Sequence, residues 1–244
     1  TAGSRSEIIV QRPAPIQVSW LGYPATTGNG LMDYLICDPV AAPPEIEESF
    51  AEKMVMLPNC HIPAYSRLGI VGKKRSRADE SLPENTFVFC CFNAHYKIEP
   101  DIFECWMNIL HQNPNSVLWL RGGQAESLLI KNAKKLGING ERLVFSRQRL
   151  DRSSHIARHS LADLFLDTHY YSAHATALDA LTAGLPILCC PGPSLAGRAT
   201  ASMLTTLGLD DLVSPDLESY TDTAVRLSLD WCHSLKTRLS QAQN

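Results

Sequence analysis

From residue 86 onward, short β-branched or aromatic runs alternate with longer stretches of helical spacing, and this alternation constrains the fold more than any other feature. The short runs fall at residues 86–91, 116–120, 142–145, 164–166 and 186–190. Helical patterns fill residues 100–112, 124–136, 153–160, 175–183 and 194–207. Strands separated by roughly 10–15 helical residues cannot be joined as hairpins; they form βαβ units, and those build a parallel sheet. Local punctuation agrees. Gly137 is placed to stop one helix, with Asn139-Gly140 as a turn before the next strand. Gly184 ends the 175–183 helix and Pro186 prevents its continuation, while Asp151 or Ser153 is placed to cap the helix that follows. The expectation is a doubly wound α/β lobe.

Residues 1–80 follow no such rhythm. Residues 7–10 and 16–20 read as strands, 24–30 as loop and 34–37 as a short strand. Pro39, Pro43 and Pro44 imply an extended crossing before a short helix over 45–52. The charged run 73–79 (KKRSRAD) reads as a solvated linker, which divides the chain into residues 1–80 and 81–244.

The 244 residues are 45% apolar with a formal charge of −3, a balance that recruits neither nucleic acid nor an anionic membrane surface. No apolar run approaches the length of a membrane span, and the first residues lack a signal-peptide core, so a cytoplasmic chain is expected. The sequence does not begin with Met, and a longer parent protein is expected. Eight cysteines include two adjacent pairs within strand-like runs, but none has the spacing of a zinc site. They are expected as buried reduced thiols, with no metal.

In open parallel sheets ligands bind beyond the carboxyl ends of strands, so the strand-to-helix loops are where chemistry is sought. The loop after 86–91 carries Asn93 and Lys97; the segment after 142–145 carries His155 and Arg158. The loop after 164–166 leads through His174, Ala175 and Thr176 to Asp179, one turn inside a helix. This mixture suits a nucleotide diphosphate. The helix start at Ala175-Thr176 offers free N–H groups to phosphate, Lys97 a positive charge, Asp179 a partner for ribose hydroxyls, and His155 or Arg158 a flat surface for a base. Ordinary structural readings stand beside these: Lys97 merely solvated, His174 satisfied by backbone, Asp179 favouring its helix dipole, Arg158 paired with Asp163. No GxGxxG, GxxxxGK[ST] or GxSxG motif is present, which removes dinucleotide dehydrogenases, P-loop NTPases and serine hydrolases of the usual kinds.

Longer motifs narrow the choice. Residues 12–24, with Thr27-Gly28 and Met32-Asp33-Tyr34, resemble the RPAPIQVxWLGYPGTxG…DY segment of the O-linked N-acetylglucosamine (O-GlcNAc) transferase family and its SPINDLY-type relatives. Residues 92–100 are similar to that family's FNxxYKIxP, residues 114–120 to PNSxLWL, and residues 155–168 to HLARHxLADLFLDT. Residues 173–192 follow its AHTTxxDALWAGxPVLTxPG. The matches are collinear over nearly the whole chain.

The resemblance implies a glycosyltransferase of the two-lobed GT-B type, with a C-terminal Rossmann-like lobe preceded here by the tail of an N-terminal lobe. It implies an inverting, metal-independent transfer of N-acetylglucosamine from UDP-GlcNAc to Ser or Thr of an acceptor protein, with no cofactor. In that reading Lys97 contacts the diphosphate, His155 and Arg158 hold the uracil, and Asp179 binds the ribose. Asn93, His174, Ala175 and Thr176 lie near phosphates and sugar, and Leu21-Gly22 approach the sugar from the first lobe. Upstream TPR repeats and the rest of the N-terminal lobe are implied as well. Alternatives are a SPINDLY-like protein O-fucosyltransferase using GDP-fucose, against which His174 and Asp179 speak, and a non-catalytic nucleotide-binding or interaction module. Three departures from the family pattern stand out: Ala175 for the first Thr of HTT, Ala94 for a polar residue beside the phosphates, and Ala25 for a Gly in a loop expected to need positive φ. Arg152 falls near a ribose-contacting Lys of animal relatives.

Overall fold

A computed structural model describes residues 5–28, 30–63, 75–147, 150–226, 237 and 239. The first segment contains a helical turn α1 (Ser6–Val10), strands β1 (Val18–Ser19) and β2 (Tyr34–Cys37), a short helix α2 (Pro44–Glu47) and strand β3 (Lys53–Met56). These strands form a parallel three-stranded sheet in the order β1-β2-β3. The RPAPIQV motif proves to be scaffolding for it. Arg12 donates to the Gly30 carbonyl and to both oxygens of Asp33, while Asp33 also accepts from the Gln17 amide.

The second segment alternates as expected. It runs β4 (Phe87–Cys91), α3 (Pro100–Gln112), β5 (Ser116–Arg121), α4 (Glu126–Lys135), β6 (Leu143–Ser146), α5 (Arg152–Arg158), β7 (Leu164–Leu166), α6 (Ala175–Thr182), β8 (Ile187–Leu188), α7 (Ala199–Thr206) and α8 (Leu217–Arg226). The five strands are parallel in the order β6-β5-β4-β7-β8. Their centre is apolar on both faces, as a sheet covered by helices on each side requires: Val88 to Cys91, Val117 to Leu120 and Leu164 to Leu166 are all buried. Chain order runs outward from β4 to β6 on one side, then crosses back to β7 on the other. The reversal between β4 and β7 opens a crevice at their carboxyl ends.

Helix α7 is the spine between the two segments. Arg198, just before it, donates to the Val40 carbonyl (2.8 Å), Ser202 to Asp38 (2.8 Å), and Thr206 accepts from the Cys60 amide (3.0 Å). Its residues 199–204 are buried, because one face meets the five-stranded sheet and the other the first segment.

Several expectations need correction. Residues 7–10 form a helical turn with no buried side chain, not a strand; among the described residues no strand lies beside the apolar run Ile8-Ile9-Val10, and Gln17 instead caps the Ile9 carbonyl. The helix expected over 45–52 ends at Glu47, and Lys53–Met56 is a strand that its largely exposed sides concealed. Helix α8 was not anticipated either; of its residues only Tyr220 and Ala224, spaced one turn apart, are buried, with Leu217 and Val225 packed partly against the core. Ala25 does not adopt positive φ; the left-handed residues are Leu21, just before that loop at φ 62°, and Gly28 and Gly30 within it, at 69° and 66°. Most of the 73–79 run is described from residue 75 on, where Arg75 pairs with Glu80 and Arg77 with Asp163, so it is folded onto the second lobe. The described cysteines are free thiols, mostly buried. Among the described residues no helix is long and apolar enough to cross a membrane.

Candidate functional site

The crevice between β4 and β7 is built around a buried knot. Asn93, the second residue past β4 and 1% exposed, donates through Nδ2 to Asp167 Oδ1 (2.9 Å) and Thr168 Oγ1 (2.8 Å). Asp167, just past β7, also accepts from the Thr168 and Ala173 amides (2.8 Å each), which folds residues 167–173 into a compact turn. Burial pushes the Asp167 carboxyl up, and hydrogen bonds from Thr200, Ala173, Thr168 and Asn93 oppose that. Asn93 therefore acts as a tie between the two strand-end loops, with its amide directed inward. Asp167, which sequence reasoning passed over, is the hub of the turn.

On this knot sits Lys97, in a 3-10 turn spanning His95–Lys97. Its ammonium lies 3.8 Å above the centre of the Tyr171 ring and donates to the Ser172 carbonyl at 2.8 Å. Burial lowers its pKa, and the nearby Asp167 carboxyl pulls the other way. Among the described residues no carboxylate lies within ion-pair distance of it. A half-buried cation held by a ring face and one carbonyl is a group prepared for an incoming anion.

Helix α6 begins beside it. His174 precedes the helix and makes no side-chain capping bond, which leaves the N–H groups of Ala175 and Thr176 uncapped at the positive end of the dipole. The backbone reading of His174 holds in part: its Nε2 meets the Ala196 carbonyl at 3.1 Å, and burial takes its pKa down to about 4. A neutral imidazole results.

Asp179 lies one turn further on, facing α5. It is 3.5 Å from Arg152 and 3.9 Å from His155. Its Oδ1 is buried without a hydrogen bond, and burial raises its pKa while Arg152 lowers it. His155 is half-buried, with its pKa lowered by burial and then by Arg158, Arg121 and Arg152. The Asp151 side chain caps α5 through the Ser154 amide at 3.0 Å, which aims Arg152 and His155 at Asp179. Arg158 is placed differently. It is 3% exposed, bonded to the Ser146 hydroxyl, 3.8 Å from Glu80, and 5.7 Å from the Phe92 ring. The expected partner Asp163 belongs instead to Arg77 at 2.9 Å. Arg158 thus sits beneath the cluster, and the exposed guanidinium beside Asp179 is that of Arg152.

The opposite wall comes from the first segment. Leu21, Gly22 and His61 face Tyr171, His174 and Ala175 across a cleft of about 320 Å³. Asp38, Cys60 and His61 bring three possible metal-ligating atoms within 4.8 Å of one another. Asp38 Oδ2 is already filled by the His61 amide, His61 Nδ1 and the Ser202 hydroxyl, at 2.6–2.9 Å, so the set is satisfied by protein donors.

A profile described as glycosyl transferase family 41 matches residues 1–65 and 70–243. A probable UDP-N-acetylglucosamine–peptide N-acetylglucosaminyltransferase SEC of Arabidopsis thaliana is 37% identical over 238 residues, covering 94% of this chain and 24% of that protein. The UDP-N-acetylglucosamine–peptide N-acetylglucosaminyltransferase of Caenorhabditis elegans is 28% identical, with 98% and 30% covered. The chain thus spans about a quarter of the length of these relatives. Among solved structures, a mutant O-GlcNAc transferase of Thermobaculum terrenum superposes with a TM-score of 0.85 at 32% identity, over 96% of this chain and 45% of that one. The trehalose-6-phosphate synthase OtsA, at 0.54 and 14% identity, shares the fold alone. The α/β arrangement is that of GT-B glycosyltransferases.

Proposed function

Because the chain belongs to glycosyl transferase family 41, we propose that it carries the donor-binding half of a protein O-GlcNAc transferase, with residues 1–80 as the tail of the first lobe and 81–244 as the nucleotide-sugar lobe. The observation that carries this is Lys97: a half-buried ammonium at the topological switch point, beside the uncapped start of α6 and without a carboxylate partner among the described residues. In this reading the UDP diphosphate spans Lys97 and the N–H groups of Ala175 and Thr176. Asp179, with Arg152 beside it, takes the ribose, and His155 borders the uracil. The sugar lies in the cleft between Leu21-Gly22 and His174. The hydroxyl of an acceptor Ser or Thr attacks the anomeric carbon from the face opposite the diphosphate, which inverts the centre as the C–O bond to phosphate breaks, and the hydroxyl proton passes to solvent or to the departing diphosphate. Negative charge then grows on the departing UDP, and Lys97 and the α6 amides stabilise it most in the transition state. These groups supply the stabilisation that a metal ion would otherwise provide, so the transfer is read as metal-independent.

Calorimetric titration of the chain with UDP and with GDP tests this. UDP is expected to bind in preference, with Lys97→Ala and Asp179→Ala each weakening it about tenfold or more, the worth of a charge-assisted contact. A preference for GDP would replace the donor assignment with a guanosine one; binding of neither by a folded chain would refute the nucleotide site.

A further inference from the structure

The cleft has two chemically unlike walls. On the second-lobe side stand Tyr171, with the Lys97 ammonium over its ring, and His174 and Ala175 at the positive end of α6. On the first-lobe side stands His61, backed by the buried carboxylate of Asp38. Asp38, the residue after β2, is 1% exposed. Its Oδ1 accepts from the Val40 and Ala41 amides, and its Oδ2 from the His61 amide, from His61 Nδ1 at 2.6 Å, and from Ser202. Burial pushes this carboxyl up, but the hydrogen bonds from His61, Ala41 and Ser202 outweigh it and bring it down to about 2. It is therefore ionised and can only accept, so the hydrogen between the two groups resides on His61 Nδ1. Trp20 holds the His61 carbonyl through its indole N–H at 2.9 Å, so backbone and ring are both fixed.

In the neutral ring this leaves Nε2 as an acceptor. Among the described residues Nε2 makes no hydrogen bond, and His61 lines the cleft across from His174. A buried carboxylate–imidazole pair is expensive to desolvate, and an apolar side chain could fill the same wall. The carboxylate behind the ring also makes this wall a poor neighbour for a diphosphate, which belongs on the opposite side. What suits it is a neutral group with an O–H to donate.

We propose that His61, oriented by Asp38, is a specificity-determining residue that reads a hydroxyl of the donor's sugar. This rests on the reading of the cleft as a UDP-sugar site, and it assigns His61 to the sugar part alone. Asp38 is a positioning residue, acting only through the ring.

The test compares UDP and UDP-GlcNAc by calorimetry on the wild-type chain, His61→Phe and His61→Gln. UDP affinity is expected to stay within about twofold in both variants, which also reports an intact second lobe. UDP-GlcNAc is expected to weaken about fivefold in His61→Phe, the worth of one neutral hydrogen bond, and less in His61→Gln, whose carboxamide keeps an acceptor. Equal losses for both ligands would assign His61 a purely structural role and overturn the inference, as would an unchanged UDP-GlcNAc affinity. Failure of the wild-type chain to bind UDP is a separate result; it removes the nucleotide reading itself, and the inference with it.

Discussion

Asp179 is a buried charge held at the expense of the fold. Its carboxylate is buried, leaves Oδ1 without a hydrogen bond, and among the described residues has the largely exposed Arg152 as its nearby charge, with the His155 ring 3.9 Å away. Because its folded pKa is raised above the ordinary 3.8, the stability linked to its protonated form is fully present below that value and lost as pH rises through the folded pKa. At neutral pH the ionised group is a net cost. Asp179→Asn is therefore expected to raise the melting temperature at pH 7 by about 2–4 °C, the equivalent of about 1 kcal/mol in a chain of this size, with the gain vanishing as pH falls through the carboxylate range. The same variant should bind UDP more weakly. Thermal melts at several pH values, beside titrations, check both halves; a variant that loses stability at neutral pH would show that the Arg152 pair outweighs the burial.

At the scale of elements, the site's turn is braced from behind by helix α8. The Trp106 indole of α3 donates to the Tyr220 hydroxyl at 3.0 Å, and that hydroxyl donates to the Asp167 carbonyl at 3.1 Å. All three groups are buried. Tyr220→Phe strands a buried donor and removes a donor from the turn, so it is expected to cost about 1–3 kcal/mol in denaturant unfolding. A loss below half a kcal/mol would mean the relay contributes nothing. This brace was not legible in the sequence, since α8 buries only Tyr220 and Ala224 and its polar surface hides the period. The three central strands were legible because burial on both faces forces continuous apolar runs, and the bounds of α3 because Pro100 fixes its start. The strand-to-helix segments holding Lys97, His174 and Asp179 followed from strand ends alone. Where those side chains point did not: Arg158 turns inward to Glu80 because Asp163 is taken by Arg77, a choice decided between residues distant in the chain. His61 escaped notice for the same reason, since its partner Asp38 lies across a strand and helix.

For the molecule as a whole, the two segments meet along α7 and across the cleft, so a ligand that touches both walls should hold them together. The crossing of the chain from β6 back to β7 has a further consequence, which concerns time. Asn93 and Asp167 are 74 residues apart, and β4 cannot gain its second neighbour until β5, β6 and α5 have been laid down. Contacts of such long sequence separation form late, because loop closure precedes their reward. The pocket is thus absent from any half-assembled chain, and the proposed nucleotide would have nothing to grip until the last crossing is complete. UDP is accordingly expected to leave the refolding rate nearly unchanged while slowing unfolding, by about a hundredfold when its concentration is about 100 times its Kd. Stopped-flow traces with and without the nucleotide would show this as one arm of the chevron moving; acceleration of the refolding arm would mean the knot between β4 and β7 is already tied in the transition state.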